Sequence, residues 1–355
     1  MTASNAQPRH RIDDFDYDLP PALIAQEPLL DRSGSRLLVL GRESGTVSHR
    51  MFRDLPDLLQ PGDLLVVNDS RVIPARLLGH RDTGGQVEVL ILRPEGSGLW
   101  RALAKPVRRL RIGEAITIPA RLGTGAPDAQ IVLREKLGDG QVVVEIGDEL
   151  NAHLEGYGHV PLPPYITHHL DDEERYQTVY ADQKGSAAAP TAGLHFTADI
   201  FDQLRSRGID VAEVTLHVGL DTFRPVSEEF AEDHDIHSEW CSVPAETWEK
   251  IVRTRESGGR VVAVGTTSAR TLESLGQRVK SGKPGPFDAF TSIYITPGYD
   301  WTMVDVLLTN FHLPKSTLLL MISALAGREN VLAAYQEAIG ERYRFFSFGD
   351  AMLIV

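Results

Sequence analysis

The chain has 355 residues, 42% hydrophobic and 24% charged, with a formal net charge of −13. That length suffices for one large domain or two smaller ones, and the acidic balance excludes indiscriminate coating of nucleic acid, which depends on neutralising phosphates. The single cysteine, Cys241, excludes an internal disulfide, an iron–sulfur cluster and a cysteine-built zinc site.

The opening MTASNAQPRHRIDDFDYDLP lacks the apolar segment of a signal peptide. No apolar run is long enough to span a membrane. A cytoplasmic protein without membrane contact is expected. Residues 63–147 then read as strands. DLLVVN, ARLLGHR, QVEVLILR, LWRALAK, AITIP, AQIVLRE and QVVVEI are short, rich in Val, Ile and Leu, and broken by Gly, Pro or Asp. Their spacing predicts a small antiparallel barrel or sandwich. Within it, KPVRRLR gathers Lys105, Arg108, Arg109 and Arg111. This is either a solvated loop between strands or a patch that contacts phosphates.

Beyond roughly residue 150 helices and strands alternate. TADIFDQLRSRG predicts a helix capped by Thr197 and stopped by Gly208. DVAEVTLHVG reads as a strand, TWEKIVRTRESGG as a helix, RVVAVG as a strand and TTSARTLESLG as a helix. DAFTSIYIT and VDVLLTN read as strands, STLLLMISALAG as a buried helix, AAYQEAIGERYR as a last helix and AMLIV as a terminal strand. This order predicts an α/β fold: a mostly parallel sheet with flanking helices. The expected division is a discontinuous α/β domain, 1–65 and 155–355, with an inserted antiparallel β-barrel at 66–154.

Three polar clusters fall just past the carboxyl ends of predicted strands: HVGLDTFRPV, GTTSAR and TNFHLPKST. That edge is where open α/β sheets bind ligands, and a helix start there suits a carboxylate or phosphate. A parallel sheet would bring His217, Asp221, Thr266, Thr267, Arg270, Asn310, His312 and Lys315 into one crevice. Each also has a plainer reading. His217 and His312 fit hydrogen-bonded core histidines, GTTSAR an ordinary helix cap, and Lys315 a solvated first-turn residue. Arg270 is unusual in a first turn, where the helix dipole disfavours a cation, and this points to an anionic partner. In GSAAAPTAGLHFT, small residues around Thr191 and His195 imply close approach of a ligand or another segment. HDIHSE spaces His234, His237 and Glu239 somewhat as metal ligands are spaced, but no helical HExxH pattern accompanies them and no metal is expected.

AAPTAGLHFT, GTTSARTLES, TNFHLPKSTLLL and YRFFSFGDAML, together with FDYDLPPALIAQEP and LLVVNDSRVIPARL, resemble the S-adenosylmethionine:tRNA ribosyltransferase-isomerase family of queuosine biosynthesis. The similarity runs from about residue 12 to the C-terminus. It implies an α/β domain with an inserted barrel, and an enzyme that moves the ribosyl part of S-adenosylmethionine onto the aminomethyl group of a 7-deazaguanine at the tRNA wobble position. The group rearranges to an epoxycyclopentanediol, giving epoxyqueuosine, adenine and methionine. The implied partners are S-adenosylmethionine and precursor-bearing tRNA, with no metal or other cofactor. A monomer is expected. Three positions depart from the family's pattern: Asp221 stands where Gly is usual, Ile236 where Met is usual, and Thr167 to His169 where an Arg usually follows PPYI.

The implied chemistry needs bases, donors and charge partners. Proton transfers are assigned to His195, His217 and His312 without an order, imidazole being a natural base of near-neutral pKa. Arg270 and Lys315, with Thr266, Thr267 and Ser316, would bind the methionine carboxylate or a tRNA phosphate. Thr191 and Asp221 complete the substrate-binding set, Asn310 would read a base edge, and Glu239 or Asp305 would face the sulfonium or the ammonium. Lys105, Arg108, Arg109 and Arg111 would hold tRNA. Two other readings remain: an S-adenosylmethionine-dependent RNA methyltransferase, for which no GxGxG-like loop follows the first α/β strand, and a non-catalytic RNA-binding protein built on the barrel.

Overall fold

The computed structural model describes residues 9–138, 140–219 and 225–355. In chain order its strands are β1 (Arg36–Leu40), β2 (Val47–Met51), β3 (Leu64–Asn68), β4 (Ser70–Val72), β5 (Arg76–Arg81), β6 (Gln86–Gly96), β7 (Leu99–Lys105), β8 (Ala115–Ile118), β9 (Ala129–Gly138), β10 (Gln141–Ile146), β11 (Gln183–Ser186), β12 (Asp210–Leu216), β13 (Glu239–Val243), β14 (Val261–Val264), β15 (Phe287–Thr291), β16 (Val306–Asn310) and β17 (Ala351–Ile354). The α-helices are α1 (Leu55–Leu58), α2 (Asp148–Ala152), α3 (Ala198–Ser206), α4 (Ala245–Glu256), α5 (Gly265–Lys280), α6 (Thr317–Ala326) and α7 (Arg328–Gly340). The chain divides into two compact units, one of Met1–Arg71, Pro163–Gln183 and Ala189–Val355, the other of Val72–Leu162 and Lys184–Ala188.

In the larger unit the described strands form one mixed sheet in the order β15-β13-β12-β3-β14-β16-β17-β1-β2. β12, β3, β14 and β16 run parallel at its centre. β13 and β15 on one side, and β17 next to β16, are antiparallel. Every residue of β3, β14 and β16 is buried, as expected for strands covered on both faces. DLLVVN, which sequence reading groups with the barrel, therefore belongs to this sheet. Its unbroken apolar run differs from the alternating burial of β5 and β6. The hairpin β1–β2 was not read from sequence, and of DAFTSIYIT only its first four residues, Asp288 to Thr291, are strand.

Helices follow the central strands. α5 leaves the carboxyl end of β14 and buries every residue from Gly265 to Gly276. α6 follows β16; its start is capped by Ser316, whose Oγ accepts from the Leu319 N–H at 3.2 Å, a contact worth about 1 kcal/mol. Thr197 caps α3 in the same way. One apolar core joins Leu65, Val67, Val264, Leu308 and Leu353 of the sheet to Phe196, Phe201 and Leu204 around α3. The fully buried Glu273 of α5 accepts from the backbone N–H groups of Met303 and Val304 at 2.9 and 3.0 Å, which fixes the approach to β16.

The smaller unit is a closed antiparallel barrel in the order β10-β7-β6-β5-β8-β9. Its core is filled by inward residues such as Leu77, Val89, Ile91, Ile116, Ile131 and Val144. Among the described residues, no single helix is long and apolar enough to cross a membrane.

Candidate active site

At the carboxyl edge of β14 and β16 lies a cleft of about 550 Å³, partly open to solvent. Thr191, Thr266, Thr267, Asn310 and His312 line it, with Gly265, Val218, Phe346 and Ser347. The fold puts them there because α5 begins where β14 ends and because Asn310 is the last residue of β16. Gly265 has φ of +84°, which lets the chain turn from strand to helix without strain. α5 has no side-chain cap, and among the described residues the buried Thr267 hydroxyl has no partner. The first turn thus presents donors and positive dipole toward the cleft.

Asn310 is held from two sides. Thr191 Oγ1 donates to its Oδ1 at 2.8 Å, and its Nδ2 donates to Nε2 of His195 at 3.2 Å. His195 Nδ1 and Ser35 Oγ are 2.8 Å apart. The ring is neutral and buried against Phe52, and burial, with the charges of Arg344 and Arg32, pushes its pKa down to about 3. His195 does not line the cleft; it stands behind Asn310.

His312 does line it. Its Nε2 pairs with Thr309 Oγ1 at 2.8 Å, leaving Nδ1 as the ring nitrogen for a ligand. Its backbone is anchored by tyrosines: Tyr17 Oη donates to its carbonyl, and its N–H donates to Tyr335 Oη at 2.9 Å. Burial lowers its pKa to about 3. Burial thus holds both rings in the neutral form. His217 stacks on Trp240 with centroids 5.0 Å apart, one residue before the cleft-lining Val218. Burial lowers its pKa as well.

A second pocket of about 480 Å³, counting space open to solvent, contains Arg270 and Glu239, one ion pair with both side chains buried. Ile236, His234, His237 and Tyr294 also line it. Lys315 is turned elsewhere: its backbone φ is +55° and its Nζ lies 2.9 Å from Asp13 and 3.1 Å from Asp16. Ser316 is committed as the α6 cap. Asp305 sits at the amino end of β16, away from the cleft, accepting from Val261 N–H and pairing with Arg255. Asp221 lies outside the described residues. In the barrel unit, Lys105, Arg108, Arg109 and Arg111 are all exposed. Among the described residues no group of three His, Cys, Asp or Glu is placed to hold a metal ion.

A family model described as queuosine biosynthesis protein matches residues 12–354. The chain belongs to the queuosine biosynthesis protein family. It is 51% identical over 346 residues to the S-adenosylmethionine:tRNA ribosyltransferase-isomerase of Symbiobacterium thermophilum, covering 97% of this chain and 100% of that protein. It is 49% identical to the enzyme of that name from Acetivibrio thermocellus, covering 97% and 99%. The crystal structure of S-adenosylmethionine tRNA ribosyltransferase from Thermotoga maritima superposes with a TM-score of 0.56 at 36% identity, covering 96% of this chain and 100% of that one.

For this member of the family, several site residues carried no readable signal of their own. Ser35 sits in a loop far from the motifs, and its hydroxyl lies 2.8 Å from Nδ1 of His195. Phe346 and Ser347 fall in YRFFSFGDAML, where nothing marked them individually. Phe346 adopts φ of +69°, and its ring packs 4.8 Å from that of Tyr165. Tyr165 Oη is 2.6 Å from Ser347 Oγ, closing one wall of the cleft. Cys241 is buried, and burial pushes its thiol up to about 12, which leaves it unreactive.

Proposed function

We propose that this chain transfers and isomerises the ribosyl group of S-adenosylmethionine onto the aminomethyl group of 7-aminomethyl-7-deazaguanine at the tRNA wobble position. The products are epoxyqueuosine-tRNA, adenine and methionine. The observation that carries this is near-complete coverage at about half identity with enzymes of that name, together with a polar cleft at the carboxyl edge of the parallel strands.

A sulfonium acidifies the neighbouring C–H and leaves as a neutral thioether, so the donor supplies its own activation and the reaction calls for no metal or further cofactor. What remains for the protein is orientation and proton movement. His312 is the histidine with direct reach into the cleft, through Nδ1. It accepts or relays a proton as a neutral imidazole. His195 acts through Asn310, whose amide is fixed for a ribosyl hydroxyl or a base edge. His217, beside Val218, lies at the rim. Thr266, Thr267 and the open start of α5 bind an anionic group of either substrate. A wobble base in an anticodon loop is already partly unstacked, which lowers the cost of extruding it into the cleft. The exposed cations Lys105, Arg108, Arg109 and Arg111 hold the tRNA backbone. The enzyme works as a cytoplasmic monomer.

The deciding experiment is incubation of precursor-containing tRNA with protein and S-adenosylmethionine, followed by nucleoside mass spectrometry. Epoxyqueuosine with free adenine is the expected result. Methylated nucleoside with S-adenosylhomocysteine would replace this reading by a methyltransferase.

A further inference from the structure

The cavity around Arg270 gathers buried polar groups on one wall. Arg270 is 6% exposed and spends one guanidinium nitrogen on Glu239. Among the described residues its Nε and Nη2 are buried without a partner, and so is the hydroxyl of Tyr294 on the same cavity wall. Buried donors with nothing to bond are costly, and a guanidinium more so. Grouped on one cavity, they mark where a ligand's acceptors belong.

We propose that this cavity holds the amino-acid end of the sulfonium donor, its carboxylate on Arg270 and Tyr294 and its ammonium facing Glu239. The inference rests on the ribosyltransferase reading. Three features carry it. The Arg270–Glu239 pair is neutral overall, which matches a zwitterion; a tRNA phosphate would bring net negative charge against the Glu239 carboxylate. A guanidinium fork and a hydroxyl suit a carboxylate. Part of the remaining wall, Ile236, Ile293, Ile295, Leu318 and Met321, is apolar and polarisable, as a thioether arm requires, beside His234, His237 and Thr317.

The placement along α5 agrees. Thr266 and Thr267 line the first cleft, and Arg270, one turn further, lines the second. Leu318 of α6 borders both. A donor that releases adenine from one end of its ribosyl group and methionine from the other fits two adjoining compartments. The nucleoside then occupies the Asn310 cleft and the methionyl arm the Arg270 cavity.

The test measures binding of L-methionine and of adenine separately to the full-length protein by calorimetry or saturation-transfer NMR. Tyr294→Phe, a conservative change, is expected to weaken L-methionine about tenfold, the worth of one hydrogen bond to a charged group, and to leave adenine binding unchanged. L-methionine methyl ester, which lacks the carboxylate, is expected to bind the wild type at least as poorly as L-methionine binds the variant. Arg270→Gln combined with Glu239→Gln removes both charges without stranding either, and abolishes L-methionine binding. Wild-type affinity for L-methionine in Tyr294→Phe, equal loss of adenine and methionine binding, or no measurable methionine binding to the wild type would each overturn the assignment. Wild-type activity data separate the two levels. If wild-type protein releases no adenine from S-adenosylmethionine with precursor tRNA, the ribosyltransferase reading fails, whatever methionine does.

Discussion

Asn310 donates its side-chain N–H to Nε2 of His195 at 3.2 Å, and this one bond fixes the state of both residues. It makes Nε2 the acceptor, so the His195 proton sits on Nδ1, toward Ser35. It also leaves Oδ1 of Asn310 for Thr191. His195 is therefore a positioning residue for the cleft amide. His195→Ala should slow adenine release in single turnover by roughly a hundredfold, the usual effect of a misplaced group in a site, with a smaller change in the KM for S-adenosylmethionine. His195→Gln supplies an amide oxygen that accepts from Asn310 and should recover a large part of that loss. No recovery with Gln would instead make His195 a proton-transfer group.

The two buried imidazoles predict the acid limb of stability. His195 and His312 have pKa values of about 3 in the fold, against 6.5 for a free ring. Below pH 6.5 the unfolded chain takes up protons that the folded chain refuses, so stability falls as pH drops from 6.5 toward 3. Above 6.5 the contribution is complete. Each ring removes about 1.4 kcal/mol per pH unit within that window. In urea titrations at several pH values, His312→Gln should show a shallower decline than wild type between pH 6 and 4. Parallel curves would refute the buried neutral ring.

Gly193 predicts a packing defect. A Cβ added there would lie 1.9 Å from the hydroxyl of Tyr180 and 2.8 Å from Cγ2 of Thr178. Both neighbours are packed, and Tyr180 is among the core residues around Phe201. Gly193→Ala should cost about 1–3 kcal/mol by overpacking. It should also shift Thr191 and His195, which flank it, and so lower activity. A thermal melt and an adenine-release assay on the same preparation check both; wild-type values in each would refute the crowding.

How much of this was legible in the sequence follows from how local each signal is. Strand–helix alternation after β11 and the Thr197 cap are short-range patterns, and the fold has them where the chain predicts them; Ser316, expected to bind substrate, caps α6 instead. The edge carrying Thr266, Asn310 and His312 followed from alternation alone, because parallel strands put their carboxyl ends together. Lys315 did not follow. Only the tertiary fold brings Asp13 and Asp16 beside it, some 300 positions away in the chain. The division of Thr266 and Arg270 between two cavities was equally hidden, since helical spacing gives a face and not the walls opposite it. The low pKa values of His195 and His312 depend on burial, which a residue's sequence neighbours do not set.

Glu273 predicts a structural failure at a distance from the chemistry. Its carboxylate accepts from Thr302, Met303 and Val304 N–H groups and from Tyr299 Oη, all in the segment that delivers the chain into β16. Glu273→Ala leaves those donors unpaired and opens a cavity, and should destabilise by about 3 kcal/mol or more. Glu273→Gln keeps one acceptor oxygen and should fall between the two. Chemical denaturation orders the three proteins, and equal midpoints would show that the segment is held otherwise.

The exposed barrel cations predict a salt-dependent substrate interaction. Among the described residues, no ion pair occupies the side chains of Lys105, Arg108, Arg109 or Arg111; the Glu114 carboxylate takes the Arg111 backbone N–H and the Arg81 side chain instead. In a chain of net charge −13, free guanidinium groups on one short turn are groups available to phosphates. Each phosphate contact releases counterions and contributes about 0.7–0.9 to the slope of log affinity against log salt. Arg108→Glu with Arg109→Glu should weaken tRNA binding and flatten that slope by roughly one to two, because both contacts are lost and reversed. Filter binding at several salt concentrations measures both quantities. Binding of S-adenosylmethionine alone should be unaltered, since the site proposed for it lies in the other unit. If tRNA affinity and slope both stay at wild-type values, the barrel patch is a solvated turn and the phosphate contacts lie elsewhere.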